Sequence, residues 1–282
     1  MKKERFDKYL VDHDFFESRE KAKQAIMAGL VTVNGQIKSK AGDQLSVDTD
    51  PSLVAVKGDL IPYVSRGGLK LEKGLEVFDF PVEKGTFIDI GASTGGFTDC
   101  LLQNGATKIY SVDVGYGQLD WKLRNDPRVV SMERTNFRNL EQDAITDVID
   151  GTVMDVSFIS ITKLLDSIRL FLKDGGKGIW LIKPQFEAGR GKVGKNGVVR
   201  EKRIHRDVLE SVTDKIREKH FKIKGLDFSP VQGPKGNIEF LCFVEKLNEN
   251  DPVETIPLKA TINTLVENAH NTYVKKDEEV NE

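Results

Sequence analysis

One segment constrains the fold more than any other, and it reads Phe87-Ile88-Asp89-Ile90-Gly91-Ala92-Ser93-Thr94-Gly95-Gly96-Phe97. Its first residues are mostly apolar, as in a buried strand, and its glycines are typical of a tight turn that leads into a helix. The N-terminus of such a helix presents free N–H groups to a carboxylate or a phosphate. The segment therefore predicts a strand, a turn and a helix, with a ligand site at the turn.

Downstream of this segment the sequence alternates between strand and helix patterns, which indicates an α/β fold with parallel strands. The predicted strands are Thr86 to Ile90, Lys108 to Asp113, Arg128 to Met132, Gly151 to Asp155, Lys177 to Lys183, Phe221 to Phe228 and Ile238 to Glu245. The clearest predicted helices are Ile161 to Leu172 and Glu201 to Lys219. Only Ser229 to Asn237 separate the last two strands, which is too short for a helical crossover. We therefore expect a Rossmann-like sheet of seven strands whose last two strands pair antiparallel.

Upstream, residues 1–60 predict a small α+β domain of two short helices followed by short strands. The helical period changes to alternation at Val31 and Val33, which lead into Asn34-Gly35, a strong signal for a two-residue hairpin. Residues 61–84 are expected to be a linker with a leading helix, residues 85–246 the sheet domain, and residues 247–282 an acidic, partly disordered tail.

The turn after the first strand fits an adenosyl ligand better than a dinucleotide. Its glycines do not follow the Gly-x-Gly-x-x-Gly spacing, and no P-loop Lys follows. Asp113 ends the second predicted strand, where a carboxylate can accept both hydroxyls of a ribose, and Asn136 follows the third strand beside an adenine edge. These features favour S-adenosylmethionine. The candidate cofactor residues are Gly91, Ser93, Thr94, Gly95, Gly96, Phe97, Asp113, Asn136 and Asp155.

Four charged residues are the candidates for catalysis: Lys70, Asp155, Lys183 and Glu239. A lysine is most often a surface charge, but Lys183 closes an apolar strand and precedes a proline. This position predicts a side chain at the rim of the sheet, where open α/β folds place their sites. No metal site is predicted.

Several motifs together resemble one family. They are Ser-Arg-Gly-Gly-Leu-Lys-Leu at 65–71, Asp-Ile-Gly-Ala-Ser-Thr-Gly-Gly-Phe-Thr-Asp at 89–99, Val-Asp-Val-Gly-Tyr-Gly-Gln-Leu at 112–119, Asp-Val-Ser-Phe-Ile-Ser at 155–160 and Lys-Pro-Gln-Phe-Glu-Ala-Gly-Arg at 183–190. Over about residues 1–245 the chain resembles the TlyA family, haemolysin-annotated ribosomal RNA methyltransferases with an FtsJ-type catalytic domain. Its first 60 residues are similar to the RNA-binding domain of ribosomal protein S-four.

The resemblance implies that Lys70, Asp155, Lys183 and Glu239 form the Lys-Asp-Lys-Glu tetrad of 2'-O-methylation. Our hypothesis is that Lys183 contacts the ribose 2'-oxygen while Asp155 and Glu239 orient the two lysines; the sequence leaves open whether Lys183 is a general base. Amino methylation is disfavoured because Asp155-Val156-Ser157-Phe158 lacks the Pro-Pro motif of those enzymes. The two cysteines, Cys100 and Cys242, are predicted to be core residues rather than nucleophiles.

The net charge of −2 conceals an uneven distribution. Residues 183–206 carry eight Lys or Arg against two Glu, whereas the acidic tail after Leu247 has three Lys against eight acids. The glycine-rich basic segment is expected to clamp RNA phosphates. The candidate RNA-binding residues are Arg5, Arg19, Lys21, Lys23, Arg66, Arg190, Lys192 and Lys195.

The leading hypothesis is a cytoplasmic enzyme whose partner is ribosomal RNA or a ribosomal subunit. No apolar run is long enough to span a bilayer, no secretory signal is evident, and two cysteines fit a reducing compartment. We expect no membrane association and no obligate protein partner. Two alternatives stay open: a membrane-active haemolysin, and a non-catalytic factor for RNA binding or ribosome assembly.

Overall fold

The computed structural model describes residues 3–27, 29–38, 40–56, 61–189, 191–194, 196–253 and 258–281. The chain divides into two compact units, residues 1–66 and residues 67–282. The division follows Arg66, so the helix expected to lead into the sheet domain belongs to the larger unit.

The smaller unit is the predicted α+β domain. Its elements are β1 (Lys3–Arg5), α1 (Phe6–Asp12), α2 (Arg19–Met27), β2 (Val31–Val33), β3 (Gln36–Ile37), β4 (Gln44–Ser46) and β5 (Val54–Val56). Phe6, Tyr9 and Leu10 of α1 pack with Ala22 and Ile26 of α2 in one buried cluster. The hairpin between β2 and β3 turns at the predicted Asn-Gly pair, and both turn residues have positive φ.

The larger unit is built on the predicted seven-stranded sheet. Its elements are α3 (Gly67–Val77), β6 (Thr86–Ile90), α4 (Gly96–Gln103), β7 (Lys108–Val112), α5 (Trp121–Arg124), β8 (Val129–Met132), β9 (Ile149–Met154), α6 (Leu165–Phe171), β10 (Leu172–Ile182), α7 (Pro184–Glu187), α8 (Lys202–Glu218), β11 (Phe221–Phe228), β12 (Phe240–Lys246) and α9 (Lys259–Asn281). The strand order is β11-β12-β10-β9-β6-β7-β8. Strands β8, β7, β6, β9 and β10 are parallel, and β12 runs antiparallel to both of its neighbours.

This topology gathers several loops at one edge. The parallel strands all end there, and β12 begins there because its direction is reversed. The interior strands are mostly apolar on both faces, as expected for a sheet that helices cover. Cys100 and Cys242 are fully buried, which confirms their prediction as core residues. The loops at this edge are consequently held on a rigid, buried scaffold.

Two predicted boundaries differ from the structure at the junction of α6 and β10. The predicted helix from Ile161 is a short 3-10 turn followed by α6, and β10 begins at Leu172 rather than Lys177. The strand register shifts between these two positions, where Gly175 has positive φ. The glycines interrupt the apolar pattern, so the sequence shows the strand only after the irregularity.

The acidic segment after Leu247, expected to be a partly disordered tail, contains α9. Ile262, Leu265, Val266, Ala269 and Tyr273 are buried on one face of this helix, with the spacing of an amphipathic helix. The prediction did not include this helix, because the acidic composition outweighed the periodicity; the partial disorder expected of the segment stays a prediction. Among the residues that the structure describes, no helix is both long enough and apolar enough to cross a membrane.

Candidate functional site

The sheet register brings three of the four predicted catalytic residues to neighbouring positions. Ile182 pairs with Phe240, so Lys183 directly after β10 lies beside Glu239 directly before β12. Asp155 follows Met154, the last residue of β9, which is the other neighbour of β10. Glu239 therefore joins the site from the start of a reversed strand, whereas Asp155 and Lys183 join it from the ends of parallel strands.

The four side chains form one continuous ion-pair cluster. Lys70, on α3, lies 2.6 Å from Glu239 Oε2 and 3.3 Å from Asp155 Oδ2 through its Nζ atom. Lys183 Nζ lies 2.6 Å from the other carboxylate oxygen of Asp155. Asp155 thus links the two lysines, and we name these four residues the tetrad.

Three of the four tetrad residues are almost removed from solvent, and the side chain of Asp155 is 18% exposed. The exposed fraction is 8% for Lys70, 7% for Lys183 and 1% for Glu239. Burial acts to raise the pKa of Asp155, but the two ammonium groups outweigh burial and hold this pKa below its ordinary value. Burial acts to lower the pKa of Lys70, but the carboxylates of Asp155 and Glu239 outweigh it and the pKa is raised. Asp155 is therefore ionised and Lys70 charged at neutral pH.

Two further side chains contact the tetrad, and neither was among the residues selected from the sequence. Lys183 Nζ donates a hydrogen bond of 3.0 Å to Ser157 Oγ, and Gln185 Nε2 donates one of 3.1 Å to Glu239 Oε1. Each lies two positions after a tetrad residue, inside a motif already quoted. That spacing is the signal that could have identified them.

The glycine-rich turn after β6 approaches the tetrad closely. Gly91 has φ of +83°, and a Cβ atom there would lie 2.9 Å from the carbonyl oxygen of Asp155. Gly95 has φ of +95°, and its Cβ would lie 2.3 Å from Leu123. Both positions require glycine, and the resulting narrow turn leads directly into the N-terminus of α4.

Asp89, in the strand before this turn, stabilises the turn. It is fully buried within β6, and its Oδ2 accepts a hydrogen bond of 2.7 Å from the hydroxyl of Thr98 on α4. Burial raises the pKa of Asp89 to about 7, although the Thr98 hydrogen bond opposes the shift. This contact fixes the first turn of α4 against the strand that precedes the glycines.

Asp113 lies at the expected end of the second strand of the sheet domain. Its carboxylate accepts hydrogen bonds from the backbone N–H of Ser93 at 2.8 Å and of Gly115 at 2.7 Å. Thr135 N donates a hydrogen bond of 2.9 Å to the backbone carbonyl oxygen of Asp113, which ties the loop carrying Asn136 to the backbone of this residue. Asn136 itself is exposed and accepts a hydrogen bond from Arg138 N. The chain reverses its order here, since β7 and β9 lie on opposite sides of β6. Such a switch point is where open α/β sheets bind ligands.

Phe158 is an exposed aromatic residue beside the tetrad. Its exposed fraction is 91%, and its backbone has φ of +66°. Its ring centre lies 5.1 Å from that of Phe186, and the Phe186 ring lies 5.9 Å from Lys183 Nζ. A strained backbone that exposes a large apolar ring is typical of a binding position.

The predicted RNA contacts in the smaller unit share a buried carboxylate. Arg5 donates two hydrogen bonds to Asp7, and Arg19 donates one of 3.0 Å to the same side chain. Asp7 is 3% exposed, and the Arg5 hydrogen bond, with Arg19, holds its pKa at about 2. Both arginine side chains stay about half exposed, so their guanidinium groups are oriented and still accessible.

The other predicted RNA-binding residues are distributed along the surface. Lys21 pairs with Glu17 and is part-exposed, Lys23 is exposed on α2, and Arg66 is exposed directly before α3. Lys192 is exposed and lies 4.0 Å from Asp207. A cavity of about 300 Å³ opens beside it, lined also by Arg200 and Ile204. Arg190 and Lys195 lie outside the described residues.

Comparison with known proteins gives the same two-part organisation. The model of the FtsJ-like methyltransferase family matches residues 63–246, and that of the S4 domain matches residues 4–50. A Bacillus subtilis protein named as a candidate rRNA methyltransferase, YqxC, is 48% identical over 282 residues, which cover 100% of this chain and 99% of the relative.

Two further similarities extend this result. A Mycobacterium tuberculosis protein named 16S/23S rRNA (cytidine-2'-O)-methyltransferase TlyA is 40% identical over 240 residues, covering 85% of this chain and 89% of the relative. The solved structure of a candidate hemolysin from Streptococcus thermophilus has a TM-score of 0.78 at 48% identity and covers 99% of both chains. The chain belongs to the TlyA family of FtsJ-like methyltransferases and carries an S4 domain at its N-terminal end.

Proposed function

We propose that this protein transfers a methyl group from S-adenosylmethionine to a ribose 2'-hydroxyl of ribosomal RNA. The observation that carries the proposal is the buried tetrad, with contacts of 2.6 to 3.3 Å, directly beside the glycine-rich turn. The TlyA relative from Mycobacterium tuberculosis, named as a cytidine-2'-O-methyltransferase of 16S and 23S rRNA, supports the choice of substrate. Because ribosomal RNA is the proposed substrate, we place the enzyme in the cytoplasm.

The turn after β6 fits S-adenosylmethionine. The turn from Gly91 to Gly95 has no room for side chains at these two glycines, so a ligand can approach the backbone. The N-terminus of α4 points to the same place. A carboxylate has about four acceptor positions, so Asp113 can bind two ribose hydroxyls while it holds Ser93 and Gly115. When bound, S-adenosylmethionine supplies a methyl group on a positively charged sulfur.

The tetrad is suited to hold and polarise a hydroxyl group. Lys183 is placed to donate a hydrogen bond to the 2'-oxygen and to stabilise negative charge there as the hydroxyl proton passes to solvent water. Asp155, held ionised by both lysines, keeps the Lys183 ammonium in place. Within the described part of the chain, Gln185 Oε1 is a buried acceptor without a hydrogen-bond donor, and its position beside Glu239 fits a site that takes up a hydroxyl.

Recognition of RNA is assigned to three surfaces. In the smaller unit, Arg5 and Arg19 present oriented guanidinium groups to phosphates. In the larger unit, the basic segment 183–206 begins at the tetrad residue Lys183, and its cavity is lined by Lys192 and Arg200. Phe158 offers an exposed ring on which the target base can stack.

The proposal is tested by incubating the full-length protein with labelled S-adenosylmethionine and separate small and large ribosomal subunits that lack the modification. Label should appear in a 2'-O-methyl nucleoside, identified by mass spectrometry after nuclease digestion. Lys183→Met should lower the rate by about 10² to 10⁴-fold while cofactor binding persists. Lys84→Met, at a side chain that is 83% exposed, is the matched control and should keep the wild-type rate.

Three results would contradict the proposal or a part of it. Label found on a base rather than a ribose would exclude the proposed chemistry. A Lys183→Met protein with the wild-type rate would exclude the assigned role of this lysine. A wild-type protein that binds ribosomal RNA without transferring label would instead favour a non-catalytic assembly factor.

A further inference from the structure

Helix α9 lies outside the region that the methyltransferase family model matches, which ends at residue 246. It nevertheless packs on the catalytic unit, because Ile262, Val266 and Ala269 are almost completely buried in the same apolar cluster as β10 and β12. Two sets of polar contacts connect this helix to the segments around the tetrad.

The first contact runs through one tyrosine. The hydroxyl of Tyr273 donates a hydrogen bond of 2.5 Å to the carbonyl oxygen of Ser229, a residue that is fully buried. The N–H of the same Ser229 donates a hydrogen bond of 2.9 Å to the carbonyl oxygen of Glu239. One backbone residue thus separates the tyrosine hydroxyl from the backbone of the tetrad glutamate.

The electrostatics of Tyr273 agree with this proximity. Burial raises the pKa of Tyr273 to about 12, and the negative charge of Glu239 contributes in the same direction. The phenol is therefore neutral at physiological pH and remains a hydrogen-bond donor. It lies close enough to the glutamate for the carboxylate charge to act on it.

A second contact reaches the other side of Glu239. His270 Nε2 and His205 Nδ1 are 2.9 Å apart, and His205 Nε2 lies 3.2 Å from the carbonyl oxygen of Val199. Val199 N in turn donates a hydrogen bond of 3.0 Å to the side chain of Asn237. Asn237 is 3% exposed and lies two positions before Glu239, so α9 supports both segments that lead into this residue.

We propose that Tyr273 is a positioning residue for methyl transfer, and that α9 acts as a brace that holds Glu239 against Lys70. The inference rests on the proposed function. Glu239 has its closest tetrad contact with Lys70, at 2.6 Å, and a displacement of about 1 Å in a catalytic cluster can lower a rate by about 10²-fold. The brace works by limiting that displacement through the backbone of Ser229, without itself touching a substrate.

The test compares two variants of α9 in the full chain. Tyr273→Phe removes one hydroxyl and keeps the ring. Ile262→Val removes one methylene from a side chain that is 1% exposed and causes a comparable loss of stability without touching Ser229. The measurements are kcat, the KM values for RNA and S-adenosylmethionine, and hydrogen exchange of the peptide that spans residues 229–239.

Tyr273→Phe should lower kcat by about tenfold at unchanged KM values, as expected for the loss of one buried hydrogen bond that orients a catalytic group. It should also accelerate exchange at 229–239, and Ile262→Val should change neither quantity. The brace is refuted if both variants lower kcat equally, or if exchange at 229–239 is unchanged in Tyr273→Phe. Should the wild-type protein transfer no methyl group to RNA, the proposed function fails, and the exchange measurement still decides whether Tyr273 holds this segment.

Discussion

The ammonium group of Lys70 lies 2.6 Å from the carboxylate of Glu239, although 169 positions separate the two residues in the chain. Both side chains are almost completely buried, and the other carboxylate of the tetrad, Asp155, is more distant from Lys70 at 3.3 Å. This pair consequently joins two distant segments inside the protein, and it belongs to the tetrad to which we assign catalysis.

Replacing Glu239 with Gln should destabilise the larger unit, because the buried ammonium group of Lys70 loses the closer of its two carboxylate partners. The expected loss is on the order of 3 kcal/mol of unfolding free energy. Urea unfolding monitored by tryptophan fluorescence measures this loss, since both tryptophans, Trp121 and Trp180, lie in the larger unit. The double variant Lys70→Met with Glu239→Gln should regain a large part of it. Simple additivity of the two single losses would show that the pair is not coupled.

Replacing Asp113 with Asn should weaken S-adenosylmethionine binding by about 10 to 100-fold, as expected when a charged acceptor of hydrogen bonds is lost. Isothermal titration calorimetry gives the dissociation constant directly. Asp126→Asn is the control, because Asp126 pairs with Arg128 before β8, away from the ends of the parallel strands. Equal affinity of the Asp113 variant and the wild type would remove this residue from the cofactor site.

Neutralising three cations of the basic segment should flatten the salt dependence of RNA binding. Lys192, Arg200 and Arg203 changed together to Gln should lower the slope of log K against log salt by about 2, since each phosphate that is no longer neutralised accounts for roughly 0.7 to 0.9 of that slope. The control changes Lys84, Lys108 and Lys173, which lie where parallel strands begin. If both triple variants shift the slope equally, the basic segment binds no phosphate of its own.

The docking of α9 should weaken as the pH falls from about 6.5 to 4. Burial, with the charge of His270, lowers the pKa of His205 to about 4, whereas an unfolded histidine titrates near 6.5. Burial, with Lys202, also lowers the pKa of His270, although Glu267 opposes this shift. The unfolded state therefore binds more protons in this range. The stabilising contribution is complete above pH 6.5 and is lost as the pH falls through 4.

Hydrogen exchange of α9 at several pH values, corrected for intrinsic rates, tests the pH effect. His205→Gln should remove most of the dependence, because burial shifts the pKa of His205 furthest, to about 4. Lys202 and Arg206 both pair with Glu267, and the hydrogen bond from Lys202, with Arg206, holds the pKa of Glu267 below its ordinary value. Glu267 is present in both proteins and contributes equally to the two pH profiles. Protection that falls equally in the variant and the wild type would assign the effect to another group.

The sequence predicted the sheet and the tetrad because both depend on local patterns and one rule of topology. Apolar strands end at charged residues, and the ends of parallel strands meet at a common edge. Asp155 and Lys183 could therefore be placed together from the strand pattern alone. Glu239 was noted because it opens the last predicted strand, and the family resemblance assigned it to the tetrad. The family resemblance, which the comparisons confirm, identified Lys70, whose position on α3 no strand pattern predicts.

The remaining features depend on contacts between distant segments, which periodicity does not reveal. A count of charges does not predict the pairing of Arg5 and Arg19 with Asp7. The pairing changes the orientation of the two guanidinium groups and leaves the number of charges the same. The contact of Tyr273 with Ser229 joins residues 44 positions apart. The acidic composition of the C-terminal segment also concealed α9, whose apolar face becomes meaningful only when the sheet it covers is known.

The late position of β12 in the chain has a consequence for the order in which the site forms during synthesis of the protein. Residues 70, 155 and 183 leave the ribosome well before residue 239. Glu239, directly before β12, supplies the last carboxylate of the ion-pair cluster. Until then, Asp155 is the tetrad carboxylate that can pair with Lys70. Strand β10 is also unpaired on the side that β12 will occupy. We expect the nascent chain to be catalytically silent until its last strand is added, so that truncated products of interrupted translation cannot modify RNA.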